Sequence, residues 1–385
     1  MDVRDAGWKL AVVDVNLFPA GFNNLTADSR KLASEKVREF LSAKLLKTAP
    51  WKIAVVPEAH TQNQGYLENL SSLLDLLTGA GCEIRLLWPG PPLPKPWKLV
   101  TASGKTLEYL PAEQALSGAD ALILNHDLSG GVPAVIANVN LPTFPSARLG
   151  WYRRRKSDHQ RIVDGILVKL ARSFDFFDPW YFSTQSSIIP SVDFESDSGL
   201  HHLATQTEAM LKSIQYEYQA RGITEIPHVF VKNDAGTYGM GILSVSHAEQ
   251  LIENAKQVRK KMKKGKESVP VSQVILQEGV PTVLVYEDAS KNLVVAEPSL
   301  YLVNGLPIGG FLRIHEKLGA NARFENLNQP GAVLEALNCD LAEGSQRPFK
   351  KPRGQSPCQQ IEAFDTYGFL ARLHVIAAGL EDCPK

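Results

Sequence analysis

Apolar residues along this chain occur in two arrangements: short unbroken runs, and longer stretches in which they recur every three to four residues. The runs "WKLAVVDVN" (8–16), "WKIAVVPEA" (51–59) and "EIRLLWPG" (83–90) predict buried strands. Residues 28–47 and "TQNQGYLENLSSLLDLLTGAG" (61–81) have helical spacing, with Asp28 as a plausible N-cap for the first and a glycine closing the second. Strand, helix and strand in succession imply a parallel, Rossmann-like sheet. A proline-rich connector, "PPLPKPW", leads to a short hairpin around "ASGK", and "ADALILNHDLSGG" (119–131) is a strand running into a polar turn. The segment 154–172 is helical. Residues 178–200, rich in Ser, Pro and Asp, read as loop and domain boundary, and a helix follows over 201–221.

Beyond it the pattern changes to strands: "HVFVK", "SQVILQEGV", "TVLVYED", "NLVVAEPSLYLVN" and "IGGFLRIH". A polar, basic stretch (343–357) reads as a loop, and a last helix spans 360–379. The expected class is α/β. Its divisions are an N-terminal segment (1–50), a Rossmann-like domain (51–200) and a strand-rich domain (201–385).

Composition narrows the function classes. The 385 residues are 44% apolar, and Lys plus Arg equals Asp plus Glu at 41 each, so net charge gives no argument for nucleic acid or a membrane surface. The basic run "KQVRKKMKKGKE" (256–267) reads as a solvated helix end. Cys82, Cys339, Cys358 and Cys383 have no CxxC or zinc spacing, which favours free thiols in a reducing cytoplasm. His60, His126 and His159 also lack metal spacing. The N-terminal stretch has no cleavage signal, and no apolar run approaches the roughly 18 residues of a membrane span.

The chemistry is concentrated in "VKNDAGTYGMGI" (231–242): strand, lysine, glycine loop, strand. It is neither a Walker A motif nor a Rossmann fingerprint. Such a loop folds over phosphates with its backbone N–H groups, and Lys232 adds a point charge; a plain hairpin with a flexible tip is the alternative. "VILQEGV" (274–280) and "VVAEPSLYLVNGLPIGGFLRIHEKLGANARFENLNQPGA" (294–332) follow.

In "VVDVNLFPAGFNNL" (12–25), Asp14 and Asn16 alternate. On a strand they would share a face and offer two oxygen ligands to Mg²⁺; a strand end with an Asx turn is the alternative. Asp234 or Glu297 could complete the metal shell. "LGWYRRRKSDHQR" (149–161) offers Arg153, Arg154, Arg155 and Lys156 to a carboxylate. If helical, Arg153 and Lys156 lie on one face, which could equally be a solvated one. Arg313, alternating with apolar residues on a buried strand, is the better candidate. Gln62, Asn63 and Gln64 end a strand and either hold substrate or cap the next helix.

The combination resembles the ATP-grasp superfamily. The resemblance implies that Lys232, Gly236, Thr237, Gly239 and Gly241 cover the phosphates of ATP. Gln277, Glu278 and Val280 would hold adenine and ribose, Arg313 would face the reacting groups, and Asn326 and Asn328 the substrate. The N-terminal Asp14–Asn16 motif is similar to that of eukaryotic glutathione synthetases, whose ATP-grasp fold is circularly permuted. It departs from them in Asp for Glu and Asn-Asn for Gly-Gly. Three stretches, "VDVNLFPAGFNNL", "LGWYRRRKSDH" and "FVKNDAGTYGMGI", resemble the proteobacterial glutamate–cysteine ligases first defined in acidophilic iron oxidisers, over essentially the full length. That resemblance implies joining of L-glutamate to L-cysteine with ATP and Mg²⁺. A glutathione synthetase or another carboxylate–amine ligase is the alternative within the class, and a non-catalytic nucleotide sensor is the alternative outside it. The partners expected are small molecules, with a homo-oligomer left open.

Overall fold

The structure, a computed structural model, describes residues 1–235, 241–262, 273–287, 290, 292–319, 321–328, 331–337 and 359–383. The first half of the chain runs β1 (Asp2–Asp5), β2 (Leu10–Asp14), α1 (Ala27–Leu45), β3 (Trp51–Pro57), α2 (Gln64–Ala80), β4 (Cys82–Leu87), β5 (Trp97–Val100), β6 (Thr106–Leu110), α3 (Ala112–Leu116), β7 (Ala121–Asn125), β8 (Thr143–Phe144) and α4 (Lys156–Ser173). The second half runs β9 (Ser186–Ile189), α5 (Asp197–Ala220), β10 (Val229–Asn233), β11 (Ile242–Val245), α6 (Gln250–Glu253), α7 (Ala255–Met262), β12 (Val274–Glu278), β13 (Val285–Glu287), β14 (Leu293–Val303), β15 (Leu306–Gly319), β16 (Ala332–Leu337) and α8 (Gln359–Asp382). It is a mixed α/β fold.

The first sheet has the order β5-β6-β4-β3-β7-β8 and is parallel apart from its edge strand β5. Its central strand explains the unbroken apolar run in the sequence. Ile53 and Val55 pack with Leu67, Leu70 and Leu77 of α2 and Leu41 of α1, whereas Ala54 and Val56 pack on the opposite side with Leu122 and Leu124. A strand covered on both faces has no solvent side to carry polar residues. The β5–β6 hairpin stands where "ASGK" predicts it.

The second sheet, β11-β10-β12-β9, is antiparallel throughout and backed by Leu203, Leu211, Ile214 and Tyr218 of α5. Strand β9 lies inside the stretch read as loop. It forms because its edge position on β12 supplies the backbone partners that the local sequence does not advertise.

The third sheet, β16-β15-β14-β1-β2 with β13 beside β14, joins the two ends of the chain. Strand β1, which the hydropathy pattern does not reveal, pairs with β14 on one side and β2 on the other. Val3, Val12 and Leu300 bury its back against Val163 and Leu167 of α4 and Leu370 and Leu373 of α8.

Two local expectations are corrected. Helix α1 is capped by Thr26, whose Oγ1 accepts from Ser29 N at 3.1 Å; Asp28 is already in its first turn. Thr26→Ala should therefore cost about 1 kcal/mol, read from the urea midpoint, while Asp28→Ala costs less. Helix α4 begins at Lys156 with Arg155 as N-cap, so Arg153 lies outside it and shares no helical face with Lys156. Cys82 is buried, its thiol pushed up to about 11 by burial, and Cys383 is exposed; both are free. Cys339, Cys358 and the 343–357 stretch lie outside the described residues. No helix among the described residues is long and apolar enough to cross a membrane.

Candidate active site

Strands β1, β2, β14 and β15 of the third sheet and β10 of the second face one another across a cleft, closed at one side by the start of α4. Strand alternation puts Asp2 and Arg4 on one face of β1. Register does the rest: Asp2 lies opposite Asp14, and Glu297 opposite Arg313. The result is a buried ionic lattice.

Arg313 Nη1 donates to Asp2 Oδ2 at 2.9 Å and to Glu297 Oε1 at 2.6 Å, and its Nη2 to Asp2 Oδ1 at 3.3 Å. Arg4 Nε donates to the other Glu297 oxygen, and its Nη1 and Nη2 to the carbonyls of Arg323 (2.8 Å) and Glu325 (2.6 Å). Those carbonyl bonds tie down the segment that brings Asn326 and Asn328 to the cleft. Burial is the largest influence on Asp2 and opposes its charge, but Arg313 and the Met1 ammonium together outweigh it and hold the carboxyl below its ordinary value.

On the other wall Lys232 is 5% exposed. Its Nζ donates to Gln277 Oε1 at 2.7 Å and to the Val13 carbonyl at 3.2 Å, both neutral acceptors. No carboxylate among the described residues forms an ion pair with it. Burial, reinforced by Lys156, pushes its ammonium down to about 7, against a smaller pull from Asp14. Lys156 Nζ sits 2.9 Å from Asp14 Oδ1 and over the Trp151 ring at 4.5 Å. Burial works against Asp14, yet Lys156, then Lys232 and Arg154, hold its carboxyl at about 2, so it stays ionised at neutral pH.

The cleft thus gathers Arg313, Lys232, Asp14, Lys156, Glu297, Asn326 and Asn328, and adds Asp2 and Arg4, which sequence reasoning missed. The signal for the latter was the alternation in "DVRD", hidden because so short a strand carries little hydrophobic period.

Other candidates stand elsewhere. Asp234 is 1% exposed beneath the start of α4, accepting from Ser157 N and Oγ at 2.8 Å each and from Gln273 Nε2; its carboxylate holds the helix and does not face the cleft. Glu278 is 1% exposed, gripped by Lys9 Nζ (2.7 Å), Tyr218 Oη (3.3 Å) and Gln185 N (3.0 Å), and Val280 packs with Ala6 and Ala11. Gln277 serves Lys232 and Thr184.

Arg154 is buried on Glu381 and the Val15 carbonyl, and Arg153 is exposed. Gln62 and Gln64 are exposed, and Asn63 caps α2 through Tyr66 N at 3.1 Å, the capping alternative. Strand β2 ends at Asp14, so Asn16 is off the strand: its Oδ1 accepts from Phe18 N at 2.9 Å in an Asx turn. Gly241 closes the β10–β11 hairpin with φ +68°, its carbonyl accepting from Asn233 N at 3.3 Å. Gly236, Thr237 and Gly239 lie outside the described residues.

A second cavity, of about 500 Å³, opens from the same place. It shares Asp2, Asp14 and Arg313 with the cleft, contains Asn16, and runs between Phe18, Phe40, Tyr301 and Phe311 towards Asn125 and Asp127. Nearby, Glu58, His126 and Asp127 cluster at the ends of β3 and β7. His126 Nδ1 accepts from Leu128 N at 3.0 Å, and its Nε2 lies 3.8 Å from Glu58.

A cleft walled by paired cations and anions, with a buried ammonium held among the described residues by neutral acceptors, suits small, highly charged molecules. The family model described as GshA, glutamate-cysteine ligase, matches residues 1–382, and the chain belongs to the glutamate–cysteine ligase family. It is a ligase that forms γ-glutamylcysteine.

Among solved structures it is similar to a Methylobacillus flagellatus KT protein provisionally described as a γ-glutamylcysteine synthetase. The two are 33% identical with a TM-score of 0.81, over 99% of this chain and 88% of that one. Weaker likenesses are D-alanyl-alanine synthetase A from Vibrio cholerae (10% identity, TM-score 0.37, 86% and 82% of the two chains) and the D-cycloserine synthetase DcsG (13%, 0.34, 86% and 83%). A search of curated proteins gave no match.

Proposed function

We propose that the cleft between the second and third sheets is where ATP phosphorylates the γ-carboxylate of L-glutamate and where the amine of L-cysteine then displaces phosphate, leaving γ-glutamylcysteine, ADP and phosphate. The observation that carries this reading is Lys232: a buried ammonium whose hydrogen-bond acceptors among the described residues are neutral is matched by an anion brought in from outside. A carboxylate is inert towards amines until its oxygen is converted to a leaving group, and phosphoryl transfer is catalysed chiefly by charge neutralisation and alignment.

In this reading the fold is ATP-grasp-like. Strands β1 and β2, from the start of the chain, complete a sheet otherwise built from its end, as a circular permutation requires. The first sheet is a Rossmann-like substrate domain, and the divisions at about 50 and 200 follow from it. Lys232 meets the phosphates near the end of β10. Arg313 faces the acyl phosphate, Asn326 and Asn328 approach substrate, and the large cavity takes the amino acids. Glu278 and Val280, buried as side chains, contribute only through backbone groups near the adenine.

The residues fit a divalent cation such as Mg²⁺: Asp14 presents a half-exposed ionised carboxylate to the cleft, and Glu297 keeps acceptor capacity beyond its two arginine bonds. Asp14, Asn16 and Glu297 would hold it, and when bound it supplies positive charge to phosphate oxygens. Asp234 is left out because its oxygens are committed to α4 and Gln273. With its free thiols, the enzyme works in a reducing cytoplasm.

The test is isotopic. Glutamate labelled with oxygen-18 in its γ-carboxylate should pass one label to the released phosphate, with ADP and never AMP as the nucleotide product. Label found only in the dipeptide overturns the reading.

A further inference from the structure

Ligation has a proton requirement that the cleft does not meet. The amine of cysteine, with an ordinary pKa near 8, enters mostly as an ammonium and has no lone pair to attack with. It must first give up a proton. Asp14 is engaged by Lys156 at 2.9 Å, and Asp2 and Glu297 are both engaged by Arg313.

Behind Asp14 lies a small chamber of about 30 Å³ that shares Val13, Asp14 and Lys156 with the cleft. His159, Gln160, Gln277 and His374 line it, so it is polar and large enough for one water. A hydrogen-bonded chain leads away from it. Arg154 fixes the Glu381 carboxylate (Nε to Oε2, 2.8 Å; Nη2 to Oε1, 3.1 Å). Glu381 Oε1 lies 2.5 Å from His159 Nδ1, and His159 Nε2 lies 2.9 Å from His374 Nδ1.

An ionised carboxylate only accepts, so at 2.5 Å His159 Nδ1 carries a proton; Arg154 Nη2, 3.1 Å from both that nitrogen and Glu381 Oε1, donates to the carboxylate oxygen. His159 Nε2 then accepts from His374 Nδ1–H, and His374 Nε2 is left as a lone pair. No described residue hydrogen-bonds that nitrogen.

We propose that His374, on α8, takes the proton from the cysteine ammonium and passes it to His159, on α4, whose imidazolium the Glu381 carboxylate then holds. This rests on the acyl-phosphate reading above. The ammonium N–H bond breaks and its proton reaches His374 Nε2 through one water. The Nδ1 proton of His374 moves to His159 Nε2, and His159 keeps its Nδ1 proton against Glu381 Oε1, so the ring becomes an imidazolium paired with an ionised carboxylate. His374 ends neutral with its tautomer exchanged, His159 carries the charge, and the amine keeps its electron pair for the acyl carbon.

The surroundings suit a relay, in which each ring must rest neutral. Burial pushes His374 well below its ordinary value, aided by His159, Arg154 and the α-amino group of Met1. Burial also lowers His159, with Arg154 and Lys156 adding to it and Glu381 opposing. Asp14 and Glu381 are the anions at the two ends.

The test uses His374→Asn, whose amide N–H preserves the bond to His159 but leaves no second ring nitrogen. Hydroxylamine, largely neutral at pH 7, replaces cysteine as an acceptor that brings its own lone pair. We expect cysteine-dependent turnover to fall about a hundred-fold near pH 7 and to recover as the pH rises past the amine pKa. Glutamyl hydroxamate formation should stay near the wild-type rate. Equal loss with both acceptors, or none with cysteine, overturns the relay. A wild-type enzyme that forms dipeptide but no hydroxamate would instead sink the acyl phosphate and the relay with it.

Discussion

Lys232→Met will lower turnover by about a hundred- to a thousand-fold while making the free enzyme more stable. The two effects have one cause. Lys232 is a buried ammonium whose pKa burial has pushed to about 7, far below the ordinary lysine value. Below pH 7 both folded and unfolded chains bind its proton, and folding carries the full penalty of burying the charge. Between about 7 and the unfolded value the unfolded chain binds more protons, so stability rises with pH across that window. Methionine removes the penalty, which at pH 7 is of the order of a few kcal/mol.

What methionine cannot do is neutralise a phosphate. Added nucleotide should therefore raise the melting temperature of the wild type far more than that of the variant, and the variant's own melting temperature should no longer climb between pH 7 and 10. A variant that melts lower than wild type and still gains equally from ATP would mean that Lys232 is a strut of the second sheet.

Arg313 gives the second large effect, and here the tertiary structure changes what is expected. The guanidinium already has partners: it bridges Asp2 on β1 and Glu297 on β14 from its own place on β15. Its pKa is raised because the two carboxylates outweigh its burial. Arg313→Met leaves Glu297 with Arg4 and strips Asp2 of its arginine, and should cost about 3–5 kcal/mol of stability. Arg313→Lys keeps the charge but cannot reach both carboxylates in a fork.

The lysine variant should fold, with a smaller loss in the urea midpoint, yet still lose about a hundred-fold in turnover because the cleft wall is no longer held in one geometry. Normal turnover by Arg313→Lys would make Arg313 a sheet ion pair alone. Loss of both activity and fold by the lysine variant would leave the catalytic assignment to Lys232 and Asp14.

What could be read from the sequence follows from the range of the forces involved. Strands β3 and β4, helix α2 and its glycine cap, and the hairpin that carries Lys232 and Gly241 are governed by local periodicity and turn chemistry, and each stands where the pattern placed it. Family membership was legible for the same reason, since its motifs are contiguous.

The sequence could not reveal that Asp2 and Arg4 belong to the cleft, because β1 reaches it only where β1 and β2 join β14, nearly 300 residues away. Nor could it show that Asp234 is spent on capping α4, that Lys9 neutralises Glu278, or that Arg154 turns inward to Glu381. A charged residue in a sequence looks available. Whether it faces substrate or is consumed by another charge depends on long-range pairing and burial, where desolvation forces each ion to find a partner. Residue type and order determined the family and the chemistry at hand; the packing of three sheets decided which charges were left to perform it.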